Sequence, residues 1–268
     1  MKLVVGGHAA YAYSGGKAFD AAARCVVFVH GALHDHSVWT LLARWHANHG
    51  WSVLAPDLPA HGRSAGPPLT SVEALADWLL ALLDAAGVRQ ASLVGHSMGS
   101  LIALEAAAKA PERIDSLVLA GMAYPMAVSK ALLDSARTDP LAAIDAVNVF
   151  SHSTFASKPS YPGPGSWLHG GNRALMRRVQ AGCAEANLFL TDFQVCDGYR
   201  GGLEAAARVR CPVTLVLGDN DQMTRPGQAG EIGAALRART VRVAAGHSMM
   251  AESPEALLGV LKEALPER

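Results

Sequence analysis

The sequence predicts an α/β protein: a mostly parallel central sheet, helices on both faces, and a helical insertion between two of the strands. Three observations predict it. Short runs of continuous apolar character recur along the chain, as strands buried on both faces require. Stretches with helical periodicity separate them. The alternation then breaks between residues 122 and 202 and resumes with an apolar run at 213.

Each element has its own signal. Leu3-Val4-Val5 and Ala9 to Tyr13 read as a hairpin that extends one edge. Cys25 to Val29 is a buried strand, 37–49 a helix stopped by Gly50, and 52–56 the next strand. A helix over 70–86 opens on Thr70-Ser71, with Glu73 at the capping-box offset from Thr70. A strand at 91–95, a helix at 98–109 and a strand at 115–120 follow. After the break come a strand at 213–217, a helix at 227–238, a strand at 240–244 and a helix at 254–264. Strands alternating with helices imply βαβ units and a parallel sheet. The stretch 122–202 carries helical patches near 126–135, 140–150 and 171–188, and a Pro- and Gly-rich loop at 160–165. We therefore expect a core of residues 1–121 and 203–268, with 122–202 inserted as a helical cap.

Composition excludes several classes. The 268 residues carry 23 Lys+Arg against 23 Asp+Glu, a net charge of zero, and half are hydrophobic. Disordered chains have low hydrophobicity and high net charge. Phosphate-tracking proteins carry a surplus of Lys and Arg, so no nucleic-acid partner is expected. The apolar stretch from Ala91 to Ala110 is interrupted by His96, Ser97, Glu105 and Lys109, too polar for a membrane span. The N-terminus lacks the apolar core of a secretory signal. Cys25, Cys183, Cys196 and Cys211 form no C-x-x-C pair, and reduced thiols in a cytoplasmic protein are the expectation. Oligomeric state is not readable.

Chemistry concentrates in Gly95-His96-Ser97-Met98-Gly99, between a strand and a helix. A nucleophile on a sharp strand-to-helix turn needs small neighbours, because the backbone folds tightly there. The helix N-terminus behind it offers free N–H groups to a developing oxyanion. A serine needs a base. His247 follows the last strand, on the sheet edge that carries Ser97; His30 also ends a strand and competes. His96 is expected to point away from the turn. The base needs a carboxylate to orient it. Asp219 and Asp221, after the strand at 213–217, both qualify. His30, His34, Asp35 and His36 invite a metal reading, but the H-E-x-x-H pattern is absent and no metal is expected.

The order Ser, Asp, His matches one of three known triad orders. The chain resembles the α/β-hydrolase superfamily, in particular bacterial esterase-like serine hydrolases with a helical cap. The resemblance rests on Val29-His30-Gly31 with Trp39, Asp57-Leu58-Pro59-Ala60-His61-Gly62-Arg63-Ser64, Gly95-His96-Ser97-Met98-Gly99, Gly218-Asp219-Asn220-Asp221, and Gly246-His247 with Glu252-Ser253-Pro254. Ser100 stands where the family usually has glycine. The resemblance implies Ser97, Asp221 and His247 as the triad, the backbone N–H groups of Ala32 and Met98 as the oxyanion hole, and no cofactor. It implies hydrolysis of an ester with a small to medium acyl group through an acyl-enzyme. C–C bond hydrolysis, lactone opening and acyl transfer could use the same triad. A non-catalytic ligand receptor or a cofactor-free lyase using His247 as base stands further off. His30, Met122, Trp167 and Met249 are candidate pocket residues for a small-molecule substrate. Phe150, Phe155 and Tyr161 are further cap candidates, and Arg173, Arg177 or Arg178 would serve an acidic substrate. Glu252 reads as a helix-entry acid.

Overall fold

The computed structural model of the chain describes residues 1–153 and 167–266. Phe155, Tyr161 and the loop expected at 160–165 lie outside them. The described residues hold eight strands: β1 (Lys2–Val5), β2 (His8–Tyr13), β3 (Cys25–Val29), β4 (Ser52–Pro56), β5 (Ala91–His96), β6 (Ile114–Ala120), β7 (Val213–Gly218) and β8 (Arg239–Val243). They form one sheet in the order β1-β2-β4-β3-β5-β6-β7-β8. All pairings from β4 to β8 are parallel, and only β1–β2 and β2–β4 are antiparallel. Gly6 and Gly7, both at positive φ, make the two-residue turn of the N-terminal hairpin. That hairpin joins the sheet through Ala12 opposite Pro56 and Tyr13 opposite Ala55.

Alternation along each strand divides the core in two. Val26 and Phe28 of β3 pack with Leu42 of α1 (Thr40–Asn48) and Leu257 and Leu261 of α11 (Pro254–Ala264). Val27 and Val29 face the other side. There Leu79 of α2 (Val72–Ala85), Leu101 of α3 (Met98–Lys109), Ala205 of α8 (Gly202–Arg208) and Ile232 of α9 (Gly230–Ala235) complete the second layer. Ser71, rather than Thr70, caps α2, its hydroxyl accepting from Ala74 N–H.

Among the described residues, the stretch 122–202 after β6 holds the helices α4 (Lys130–Thr138), α5 (Pro140–Phe150), α6 (Leu168–Gly182) and α7 (Leu188–Gly198). Each break has a local cause. Ser129 caps α4, Asp139 with Pro140 at the first turn caps α5, and Asn187 caps α7. The patch expected at 126–135 therefore begins later, at Lys130. The patch expected over 171–188 is two helices divided at Cys183–Asn187. The helices expected over 37–49 and 227–238 both open as 3-10 turns, at His36–Trp39 and Pro226–Ala229. Gly227, Gly230 and Gly233 shorten the second, since glycine costs about 1 kcal/mol per helical residue. Helix α8 escapes the sequence reading because its seven residues make only about two turns, too few for a period to show. A last short helix, α10 (Met249–Glu252), precedes α11. Among the described residues, no helix is long and apolar enough to cross a membrane.

Candidate active site

Ser97 lies between β5 and α3 with φ 55° and ψ −121°, a conformation a side chain rarely adopts. Its neighbours explain how the chain tolerates it. A Cβ on Gly95 would lie 2.2 Å from the Gly99 carbonyl, and one on Gly99 would lie 2.4 Å from the Val29 carbonyl. The turn thus packs directly onto the end of β3. Ser97 N–H donates to Ala120 O (2.9 Å), which ties the turn to β6. Ser100 Oγ donates back to the Ser97 carbonyl, which accounts for a serine at that position. Met98 opens α3, so its N–H has no intrahelical acceptor.

Ala32, expected from the sequence to supply the second backbone donor, lies in the turn after β3. Gly31 to His34 form a turn closed by His34 N–H onto Gly31 O (3.3 Å), with Leu33 at φ 54°. Gly31 and Ala32 line the same cavity as Ser97 and His247.

His247 is buried, and its Nδ1 stands 2.8 Å from Asp221 Oδ2. A carboxylate only accepts, so Nδ1 carries the proton and Nε2 is left as the basic nitrogen. Asp221 Oδ1 accepts from the N–H groups of Met223 and Thr224, both at 2.8 Å. Thr224 Oγ1 lies 2.8 Å from Asp221 Oδ2 and 2.9 Å from Gly121 O. Burial works to raise the Asp221 pKa, but the field and hydrogen bond of His247 and the bonds of Thr224 outweigh it and hold the carboxyl below its ordinary value. Asp219 is elsewhere: it is half exposed and pairs with Arg242 at 2.8 Å. The geometry therefore separates the two aspartates that spacing left open.

His96 corrects an expectation. Its ring does not point away but packs 4.7 Å from the His247 ring, and its Nε2–H donates to His247 O (2.9 Å). Nδ1 is then unprotonated, and among the described residues it has no partner. Burial first, then His247, push the His96 pKa well down, so the ring is neutral. Gly121, at φ 57°, leaves room for both rings: a Cβ there would stand 3.2 Å from His247 Cε1 and 3.3 Å from His96 Nε2. The His247 loop is fastened further by Ser248 N–H to Ser151 O (2.8 Å). Glu252 joins the same loop to α5's end, accepting from Gly246 N–H (3.2 Å) and Ser153 N–H (3.0 Å).

The cavity measures about 510 Å³, within the range of small-molecule sites. Its walls include Met126, Leu132, Val147, Phe150, Met176 and Phe193. Among the described residues, none of those lining it is Asp, Glu, Lys or Arg. Arg173 and Arg177 pair with Asp145, and Arg178 with Asp35. Of the candidate pocket residues, His30, Met122 and Met249 are buried away from this cavity, and Trp167 borders a neighbouring one of about 370 Å³. His30 is a brace instead: Nδ1–H donates to Gly31 O (2.9 Å) and Nε2 accepts from Leu58 N–H (3.0 Å). Burial, with His61 next, pushes its pKa down to about 4. His34 does line the cavity, and bonds Ala32 O and Asn172 Oδ1. Asp35, His36 and Asp57 converge, but their carboxylates already accept from the N–H groups of Ser37, His36 and Arg63.

A family model described as "Alpha/beta hydrolase family" matches residues 26–260. The chain belongs to the alpha/beta hydrolase family. Over its whole length this alpha/beta hydrolase superposes on the enol-lactonase from Burkholderia xenovorans, with a TM-score of 0.83 and 21% identity, both chains fully covered. A thermophilic esterase gives a TM-score of 0.76 at 21% identity, over 99% of this chain and 98% of that one. Both likenesses concern the fold. In sequence the chain is 36% identical over 94 residues to lipase LipV of Mycobacterium tuberculosis, covering 35% of each. It is 36% identical over 111 residues to a dihydrolipoyllysine-residue acetyltransferase component of the acetoin cleaving system from Cupriavidus necator, covering 41% of this chain and 28% of that one. The matched segment thus spans about a third of these curated relatives.

Proposed function

We propose that this alpha/beta hydrolase is a serine esterase for uncharged substrates with a small to medium acyl group. The observation that carries the reading is the 2.8 Å bond from His247 Nδ1 to Asp221, with His247 and Ser97 on the wall of one apolar cavity. Asp221 holds the imidazole in the tautomer whose Nε2 accepts, and stabilises the imidazolium once formed. Nε2 takes the Ser97 proton as Oγ attacks the carbonyl carbon. The N–H groups of Ala32 and Met98 receive the oxyanion, and His247 then protonates the departing alcohol. Water enters the acyl-enzyme by the same sequence, which frees the acid and restores Ser97. Helices α4 to α7 act as a cap, because their side chains supply most of the apolar wall. Among the described residues that wall carries no charged side chain, so an acidic acyl group would lose its hydration there without a partner.

The test is steady-state hydrolysis of neutral p-nitrophenyl esters of increasing acyl length, alongside a dicarboxylic half-ester. The wild type turns over the short and medium neutral esters and discriminates against the charged one. Ser97→Ala lowers kcat by about 10³-fold or more, with the fold intact by circular dichroism. Equal turnover in the two proteins would overturn the reading.

A further inference from the structure

We propose that Asp192, on α7, is a positioning residue for the oxyanion loop, and that His61 acts as its protonated counter-ion; this rests on the hydrolase reading above. Asp192 Oδ2 accepts two hydrogen bonds. One comes from Leu33 N–H at 2.7 Å, the other from His61 Nε2–H at 2.9 Å. All three residues are buried, Leu33 completely. Leu33 is the residue after Ala32, and its φ of 54° is a conformation leucine adopts only when its surroundings impose it. The Asp192 bond fixes that residue's N–H, and so the twist of the turn that presents Ala32 to the cavity.

The protonation state follows from the contacts. His61 Nδ1 lies 2.9 Å from Pro59 O, so both ring nitrogens face acceptors, one of them the Asp192 carboxylate, and the doubly protonated ring satisfies both. Burial lowers the His61 pKa, but the charge and hydrogen bond of Asp192, followed by the Pro59 carbonyl and Asp57, together outweigh it, and the net shift is upward. Asp57 of the same loop adds to the rise, while the His30 ring at the end of β3, 5.0 Å away, is neutral. A single oxygen serving two donors has no neutral substitute. An asparagine that turns its oxygen to Leu33 and His61 leaves a buried imidazolium without an anion. One that turns its nitrogen there meets the Leu33 N–H head on.

The experiment is the kinetics of fluorophosphonate labelling, which forms a tetrahedral adduct on Ser97 and separates binding (KI) from bond formation (kinact). In Asp192→Asn, kinact falls by about 10-fold or more while KI stays within about twofold of wild type. Asn187→Ala, which removes the cap of α7 without touching Asp192, keeps the wild-type kinact. His61→Gln, which withdraws the cation, also lowers kinact, and it carries the test if Asp192→Asn does not fold. The proposal is overturned if Asp192→Asn labels at the wild-type rate, or if Asn187→Ala slows kinact as much. It is likewise overturned if His61→Gln keeps the wild-type kinact. A wild type that does not label at all would instead sink the hydrolase reading itself, so the two failures are distinguishable.

Discussion

Individual side chains around this site are held by hydrogen bonds that depend on protonation, and that has a consequence in acid. Burial pushes the His30 pKa from 6.5 down to about 4, and His34, His46 and His96 are also lowered. Between the two values the unfolded chain binds the proton more readily than the folded one. Stability is therefore present in full above about pH 6.5 and is lost as pH falls toward 4. For His30 alone the loss amounts to about 3 kcal/mol. His61, shifted upward, works in the opposite direction. Urea midpoints at pH 7 and pH 5 should drop on acidification, and the drop should be smaller in His30→Gln; an equal drop in both proteins would contradict the assignment. At this scale the sequence was legible where chemistry follows a local rule. Ser97 and His247 stand at strand ends, and their neighbours announce tight turns. Asp219 and Asp221 share one turn, and only the packing of β7 against the His247 loop decides which faces the imidazole. Asp192 was illegible. Nothing local marks it, and its partners lie 131 and 159 residues away in sequence.

At the scale of elements, the strand–turn–helix from β5 to α3 is the most constrained part of the chain. A methyl group on Gly99 would stand 2.4 Å from Val29 O and 2.5 Å from His30 O, both of them backbone atoms that cannot rotate away. Gly99→Ala should cost at least about 3 kcal/mol and lower the melting temperature by about 5 °C or more. Calorimetry showing a melting temperature within a degree of wild type would contradict this packing. The core strands and helices were readable because parallel strands buried on both faces leave unbroken apolar runs, and the helices between them keep one apolar stripe. The inserted stretch was read as three helical patches, because periodicity alone does not show the division at Cys183–Asn187. Ser129, Asp139 and Asn187 define their starts more sharply than their periodicity does. Helix α8 has too few residues for any period to show.

For the whole molecule, the parallel sheet does the assembling. β3, β5, β7 and β8 run in one direction, so the loops after them meet at one edge. Gly31 to Leu33, Ser97, Asp221 and His247 all come from those loops. The stretch between β6 and β7 is tied to that edge at separate points: Asp192 to Leu33, Ser151 to Ser248, and Ser153 to Glu252. On the proposed reading, the acyl group that fits is decided by side chains from α4, α5, α6 and α7 that converge only in three dimensions, and periodicity carries no record of that. The central claim is that these loops activate Ser97. Intact mass after exposure to a fluorophosphonate tests it most directly. One adduct per chain on the wild type, located at Ser97 and missing from Ser97→Ala, is the predicted result. A folded wild type that stays unlabelled, or a Ser97→Ala variant that labels as fast, would contradict it.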